Sequence, residues 1–380
     1  MALLNIISPH TTGPLNTARV MQLVLLATIP GILALSWHFG WGTLVNIVWA
    51  SMVAVSAEAL ALRLRKRPLS FYLSDYSAVV TAVLLAVAMP PYSPWWLILI
   101  GVGFAILIAK HLYGGMGYNP FNPAMVGYVV LLISFPVDMT IWAAPRQVFE
   151  GQLSNLSLPS LIDSITALFA GRDAVELFSI DGMTMATPLD ILKQNNSLLV
   201  EDLWAQSPQF GQWAGLGWEW ANLGFLAGGI FLLSQRVFTW HAPLSMLASL
   251  TVISAIFNDG GSSTSGGSPL FHLLSGATMF GAFFIVTDPV TSAVSNKGKL
   301  IYGALIGLLL YIIRTWGNYP DAIAFSVLLM NFVAPLLDYY TQPRTYGHNS
   351  PDLSNTGHDT SDHSTSDHSK SDHSKSAGNK

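Results

Sequence analysis

The 380-residue chain contains no cysteine. That absence excludes disulfides, thiolate metal ligands, cysteine nucleophiles and iron–sulfur clusters held by cysteine, so any redox centre must be an organic cofactor or use other ligands. Charge is the second shortage. Only 10% of residues are charged and 51% are hydrophobic, against about 25% charged in a soluble domain. Mean hydropathy is +0.47. These values exclude an ordinary soluble globule and point to an all-α polytopic membrane protein. Basic residues are too few for a nucleic-acid surface, and no nucleic-acid partner is expected. The start, Met1 to Val20, also lacks a basic region ahead of an apolar stretch, so no cleavable leader is expected.

What the chain has instead is apolar runs near the roughly 20 residues that a bilayer demands. Five precede a long polar excursion: Val20 to Trp37, Thr43 to Leu62, Tyr76 to Met89, Trp95 to Ile108 and Pro123 to Ile141. Five follow it: Trp213 to Ser234, Ala242 to Phe257, Leu270 to Val286, Leu300 to Ile313 and Ala322 to Leu337. Several are short and end in Pro, Gly or polar residues, as kinked or re-entrant segments packed inside protein would. About ten transmembrane helices are therefore predicted. With a cytoplasmic N-terminus, thirteen of the 17 Lys and Arg residues fall on the inside and only Arg146, Arg172, Lys193 and Arg314 on the outside, as the positive-inside rule requires. The excursion, residues 142–212, then faces the periplasm, and both termini are cytoplasmic. Two sets of five crossings also permit a five-plus-five inverted repeat. In support, Thr81 to Pro94 and Ser275 to Ser292 each run from small residues to a proline-broken end, although small residues serve ordinary helix packing equally well.

Within the excursion lies Asp181-Gly182-Met183-Thr184-Met185-Ala186-Thr187-Pro188-Leu189-Asp190. Thr187 precedes a proline, which biases it to extended backbone. Thr187 as N-cap with Pro188 at the first helical position is one reading, and an accessible hydroxyl open to a modifying enzyme is another; the two are compatible.

The order Asp-Gly-x-Thr-x-Ala-Thr resembles the flavinylation motif of the D subunits of Rnf (also called Rsx) electron-transport complexes and of the B subunit of the related sodium-pumping NADH:quinone reductase. Lys110 to Pro136 and Leu274 to Ser295 are similar to that family's two most recognisable membrane segments, and the likeness extends from about Asn5 to Arg344. The resemblance implies covalent FMN, joined through its phosphate to the Thr187 hydroxyl, with Asp181 and Gly182 read by a flavin transferase. It implies assembly with other Rnf subunits in a bacterial inner membrane, and electron transfer between ferredoxin and NAD(H) coupled to sodium or proton movement. The quinone-reductase relative suggests a noncovalent riboflavin as well, which no residue places. Alone the chain is not expected to catalyse the reaction, since no nicotinamide site is visible. Asp321 departs from the family pattern, which leads one to expect a glutamate there.

Other features have plainer readings. Gly114 to Pro123 lacks the GxxxxGK[ST] phosphate-loop pattern and reads as a tight turn in which Asn119 and Asn122 satisfy open backbone groups. Ser275-Gly276-Ala277-Thr278 spells a tetrapeptide found at related flavin sites. It has no Asp-Gly upstream and sits within a span, so Thr187 is preferred to Thr278. Among ionisable residues near spans, Asp288 and then Glu219 are the candidates for an ion path. Trp37, Trp41, Trp95, Trp96, Trp142, Trp213, Trp218 and Trp316 fall where interfacial belts would place them. Residues 1–345 are thus the membrane domain, and residues 346–380, rich in His, Ser and Asp, are expected to be a disordered cytoplasmic tail in which weak metal binding is conceivable. The competing function is a solute channel or secondary transporter on an inverted-repeat fold, which the apolar spans alone fit equally well.

Overall fold

A computed structural model of the chain describes residues 16–341 apart from 152–157, 180–183, 196, 263–264, 318 and 320–321. Asp181, Gly182, Asp321 and the tail lie outside the described residues.

The first half contains α1 (Thr17–Phe39), α2 (Gly42–Leu64), α3 (Ser77–Ala88), α4 (Trp95–Gly103, continued by a π-helical stretch Phe104–Leu112) and α5 (Pro123–Ser134). The excursion contributes α6 (Leu161–Ala170) and α7 (Pro188–Gln194). The second half contains α8 (Trp218–Ser234), α9 (His241–Ile256), α10 (Pro269–Leu274), α11 (Thr278–Phe280, continued by a π-helical stretch Gly281–Ile285), α12 (Asn296–Trp316) and α13 (Ile323–Thr341). Five of these helices, α1, α2, α4 with its π-helical extension, α12 and α13, are long and apolar enough to cross a bilayer. The chain is a multi-pass, all-α membrane protein.

The predicted third span shows how a short helix is completed. The 12 residues of α3 rise about 18 Å, well short of a hydrocarbon core of about 30 Å. The chain continues as non-helical backbone that is satisfied inside the protein: Asn46 donates to the Pro90 carbonyl at 3.0 Å, Ser93 to the same oxygen at 2.7 Å, and the Tyr92 hydroxyl to Phe39 at 2.9 Å. Irregular backbone at membrane depth is tolerated only where protein supplies such partners. The fifth predicted span likewise breaks at Phe135, before Pro136, and the eighth breaks between α10 and α11.

Packing repeats between the halves. α2 packs on α3 and α4 as α9 packs on α10 and α12, and α4 packs on α5 as α12 packs on α13. The halves meet through α1 against α8 and α5 against α13. The inversion can be read from two cavities. One is lined by the start of α3 (Ser77, Val80), the start of α5 (Asn122 to Ala124) and the residues just after α11 (Thr287, Asp288). The other is lined by the end of α3 (Val87, Ala88), the start of α13 (Ile323, Ala324) and the break between α10 and α11. Equivalent segments of the two halves therefore present opposite ends to each cavity, as an inverted repeat demands.

Candidate functional site

Two short strands anchor the excursion: β1 (Trp142–Ala143) pairs antiparallel with β2 (Thr184–Met185), placing Trp142 opposite Met185. Two residues on, the chain turns into α7. Thr187 is extended, Pro188 occupies the first helical turn, and Asp190 completes a reciprocal cap. The Thr187 hydroxyl donates to Asp190 Oδ2 at 2.6 Å, and the Thr187 and Asp190 amides are each bonded to the other's side chain at 3.3 Å. The expected N-cap is present, with a carboxylate against the hydroxyl that the sequence reading did not include.

α7 is docked rather than dangling. Its Leu189 and Leu192 join Leu203, Phe210, Phe271 and Leu274 in a small apolar core. Lys193 reaches from its last turn to the Tyr319 carbonyl at 2.9 Å. Burial pulls the Lys193 ammonium below its ordinary pKa, against the opposing pull of Asp190.

Thr187 is half-buried and Ala186 beside it exposed. Thr187 and Asp190 line one edge of the second cavity, a narrow cleft of about 80 Å³ walled by Trp142, Trp218, Tyr128, Phe280 and the Ser275–Ala277 break. Trp142 and Trp218 meet edge to face with ring centroids 4.6 Å apart. They face this cleft, which corrects their assignment to an interfacial belt. By contrast Trp37, Trp41, Trp213 and Trp316 are exposed, as lipid-interface residues would be.

The two motifs weighed as flavin acceptors are therefore neighbours. They differ in access. Thr278 is fully buried, and its hydroxyl donates to the His272 and Ser275 carbonyls at 2.8 and 2.9 Å while accepting from Arg314 at 3.0 Å. Arg314 also donates to those same two carbonyls, at 3.0 and 3.3 Å. From the other side Asn222 donates to Leu274 and Gly276, both at 2.9 Å, and accepts from the Met279 amide at 3.0 Å. The broken helix is held rigidly between these two side chains. Two side-chain atoms of the broken helix, His272 Nδ1 and Ser275 Oγ, are buried without a hydrogen-bond partner.

The first cavity, of about 630 Å³, is wider and more polar, with Lys110, Asn119, Asn122 and Asp288 in its wall. Asn122 caps α5, accepting from the Ala124 and Met125 amides ahead of Pro123, and donates to Asp288 at 3.4 Å. Gly114, Gly115 and Gly117 in the same region take positive φ, which explains their identity as turn glycines. Asp288 accepts from Thr291 and the Val290 amide, so it both closes a turn and faces the cavity. Glu219 instead accepts from the Trp213 and Ala214 amides at 2.8 and 2.7 Å, the bonds of a structural staple at the entry to α8. Lys110, one of the thirteen basic residues counted on the inside, is not a solvated charge. It is buried, bonded to both oxygens of Glu58 at 2.7 and 2.9 Å and to Ser77 at 2.7 Å.

Residues 5–347 match the profile of the NQR2, RnfD, RnfE family. The chain belongs to this family. It is 58% identical over 355 residues to the D subunit of the ion-translocating oxidoreductase complex of Cellvibrio japonicus, covering 92% of this chain and 97% of the relative. Identity is 57% over 354 residues with the corresponding D subunit of Ectopseudomonas mendocina, covering 93% and 98% respectively. The D subunit of Aliivibrio salmonicida is 53% identical over 348 residues, covering 90% and 97%.

Proposed function

We propose that this chain is the D subunit of an Rnf-type ion-translocating oxidoreductase of a bacterial inner membrane, and that it carries FMN as a phosphoester on Thr187. The complex would pass electrons between ferredoxin and NAD(H) and couple that transfer to sodium or proton movement. Its partners are the other Rnf subunits, the surrounding lipid and a flavin transferase. Bound FMN would supply one- and two-electron transfer, which no side chain of this cysteine-free protein provides.

The observation that carries the reading is the setting of Thr187, a half-exposed hydroxyl at the mouth of an aromatic cleft. Esterification by the transferase would form a bond from Thr187 Oγ to phosphorus as the phosphorus–oxygen bond of an activated flavin donor breaks and its leaving group departs, and it would remove the hydroxyl proton and its bond to Asp190 Oδ2. Asp190 is placed to accept that proton. The Thr187 amide bond to Asp190 is independent of the ester, and α7 keeps its apolar and Lys193 anchors. Trp142, Trp218 and Phe280 line the cleft beside Thr187 with apolar side chains. The residues at the cleft mouth thus suit an esterified phosphate, while the cleft itself, of about 80 Å³, is too small to enclose the flavin ring. A noncovalent riboflavin, if the chain holds one, would find room in the wider cavity of about 630 Å³, whose wall includes Asn119, Asn122, Lys110 and Asp288.

A channel or secondary transporter is the second reading, favoured by cavities opening at opposite ends of an inverted repeat. Coexpression with a flavin transferase separates the two. A phosphoester survives denaturation, so the wild-type band on a denaturing gel should fluoresce under ultraviolet light, Thr187→Ala should be dark and Thr278→Ala bright. A dark wild type despite an active transferase would leave the transporter reading. For orientation, a periplasm-dependent reporter inserted within residues 152–195 should be active and one after Arg67 silent; the reverse would place Thr187 on the cytoplasmic side.

A further inference from the structure

α6 carries three faces rather than two. Successive helical residues are about 100° apart, which gathers Leu161, Ile162, Ile165 and Phe169 into one arc, Ser164, Ala167 and Leu168 into a second, and Asp163, Thr166 and Ala170 into a third. The second arc is buried against the protein. The first is apolar throughout and yet exposed, Ile162 at 75% and Phe169 at 52%. A helix surrounded by water on its outer side would spread polar residues over both remaining arcs, whereas this one confines Asp163 and Thr166 to the third.

The position of α6 indicates what covers the apolar arc. Phe169 lies edge-on to Trp49 of α2, ring centroids 5.2 Å apart, and α2 is one of the helices able to cross a bilayer. On α2, Val48, Met52 and Val55 form an exposed apolar stripe at i, i+4 and i+7, the surface a span turns to lipid, and Met52 neighbours Trp49 at i+3. The Trp49 indole donates to the Trp95 carbonyl at 3.2 Å, at the start of α4, and tryptophans gather at such span ends along the membrane boundary. The apolar arc thus continues the lipid-facing surface of α2. It has no side chain able to hydrogen-bond, whereas protein–protein interfaces carry about one hydrogen bond per 100–200 Å².

We infer that α6 is an interfacial helix, seated with Leu161, Ile162, Ile165 and Phe169 among lipid acyl chains at the membrane boundary, Asp163 and Thr166 toward water, and Ser164 and Leu168 on the protein. Helices of this kind are held by the apolar area they remove from water. α6 thereby keeps the first part of the excursion on the bilayer, as Leu189 and Leu192 keep α7 on the protein.

The absence of cysteine makes one introduced thiol a unique label. Ile162→Cys, Ile165→Cys and Thr166→Cys, each in the full chain in phosphatidylcholine nanodiscs, would be coupled to a bimane fluorophore. Phospholipid bearing a nitroxide on its acyl chain should quench the labels at 162 and 165 more than that at 166, and aqueous iodide should do the reverse. Iodide quenching at 162 and 165 as strong as at 166 would put the arc in water and overturn the inference. A protein occupant is tested in cells making the whole complex, with photoreactive benzoylphenylalanine in place of Ile165. Irradiation should leave the chain's gel mobility unchanged, and an adduct of protein size would assign the arc to another subunit and overturn the inference. Neither measurement depends on the FMN reading of Thr187.

Discussion

The two ends of the bundle are built on one plan and furnished differently. Near the end of α4, buried Lys110 donates to Ser77 at the start of α3; near the end of α12, buried Arg314 donates to Thr278 at the start of α11. Each cation thus ties the fourth helix of its half to the third. At the first end Glu58 neutralises the charge, and the adjoining cavity is wide and polar. At the second, Arg314 spreads its bonds over backbone carbonyls, and the adjoining cleft is narrow and aromatic. An inverted repeat supplies two equivalent places for a cavity. The side chains then decide what each is suited to hold.

Substitutions at the two cations should break this comparison in different ways. Glu58→Leu strands a buried ammonium and should cost about 3–5 kcal/mol, with most of it recovered in Glu58→Leu/Lys110→Met, because a lone buried charge is worse than an apolar pair. Thermal unfolding in detergent would show whether the double variant is the more stable. Arg314→Met has a different outcome: it removes charged-donor hydrogen bonds worth about 1.5–3 kcal/mol and loosens the wall at Ser275–Ala277. Covalent labelling at Thr187 should survive it. If Arg314→Met abolished labelling, the cleft wall and the acceptor would not be separable as described.

A smaller effect sharpens the contrast between two caps inside the excursion. Ser160 with Asp163 at the start of α6 forms the same reciprocal cap as Thr187 with Asp190. Ser160 is exposed, and it is absent from the residues that line the Thr187 cleft. Ser160→Ala and Thr187→Ala should each cost about 1 kcal/mol. Only Thr187→Ala should remove the flavin. Equal effects of both on labelling would mean that cap integrity, not the hydroxyl at 187, governs attachment.

How much of this was legible in the sequence follows from the range of the interactions. The N-cap at Thr187 and the Asn122 cap ahead of Pro123 are local, and residue type announced them, whereas the breaks at Phe135 and Ser275 fall inside stretches read as the continuous spans Pro123 to Ile141 and Leu270 to Val286. The breaks in the third and eighth spans hinted at the repeat. The pairing of Glu58 with Lys110 joins residues 52 positions apart, and no periodicity predicts it; Lys110 entered the orientation count as an inside charge although Glu58 neutralises it in the interior. Trp142 and Trp218 read as belt residues because composition and position at a span end cannot distinguish lipid from a cleft. The docking of α7 through Leu189, Leu192 and Lys193 turned a presumed surface loop into part of the wall, again through contacts remote in sequence. One element was available and passed over: Leu161, Ile162, Ile165, Leu168 and Phe169 have helical spacing, and α6 lies against α2 with Phe169 edge-on to Trp49.

Peptide mapping by mass spectrometry of the chain coexpressed with transferase tests the central claim most directly. The peptide containing Thr187 should carry the mass of an esterified FMN, with fragment ions placing it on that threonine, and the peptide containing Thr278 should be unmodified. An unmodified Thr187 peptide in a preparation whose transferase flavinylates a known acceptor would contradict the account, as would FMN located on any other residue.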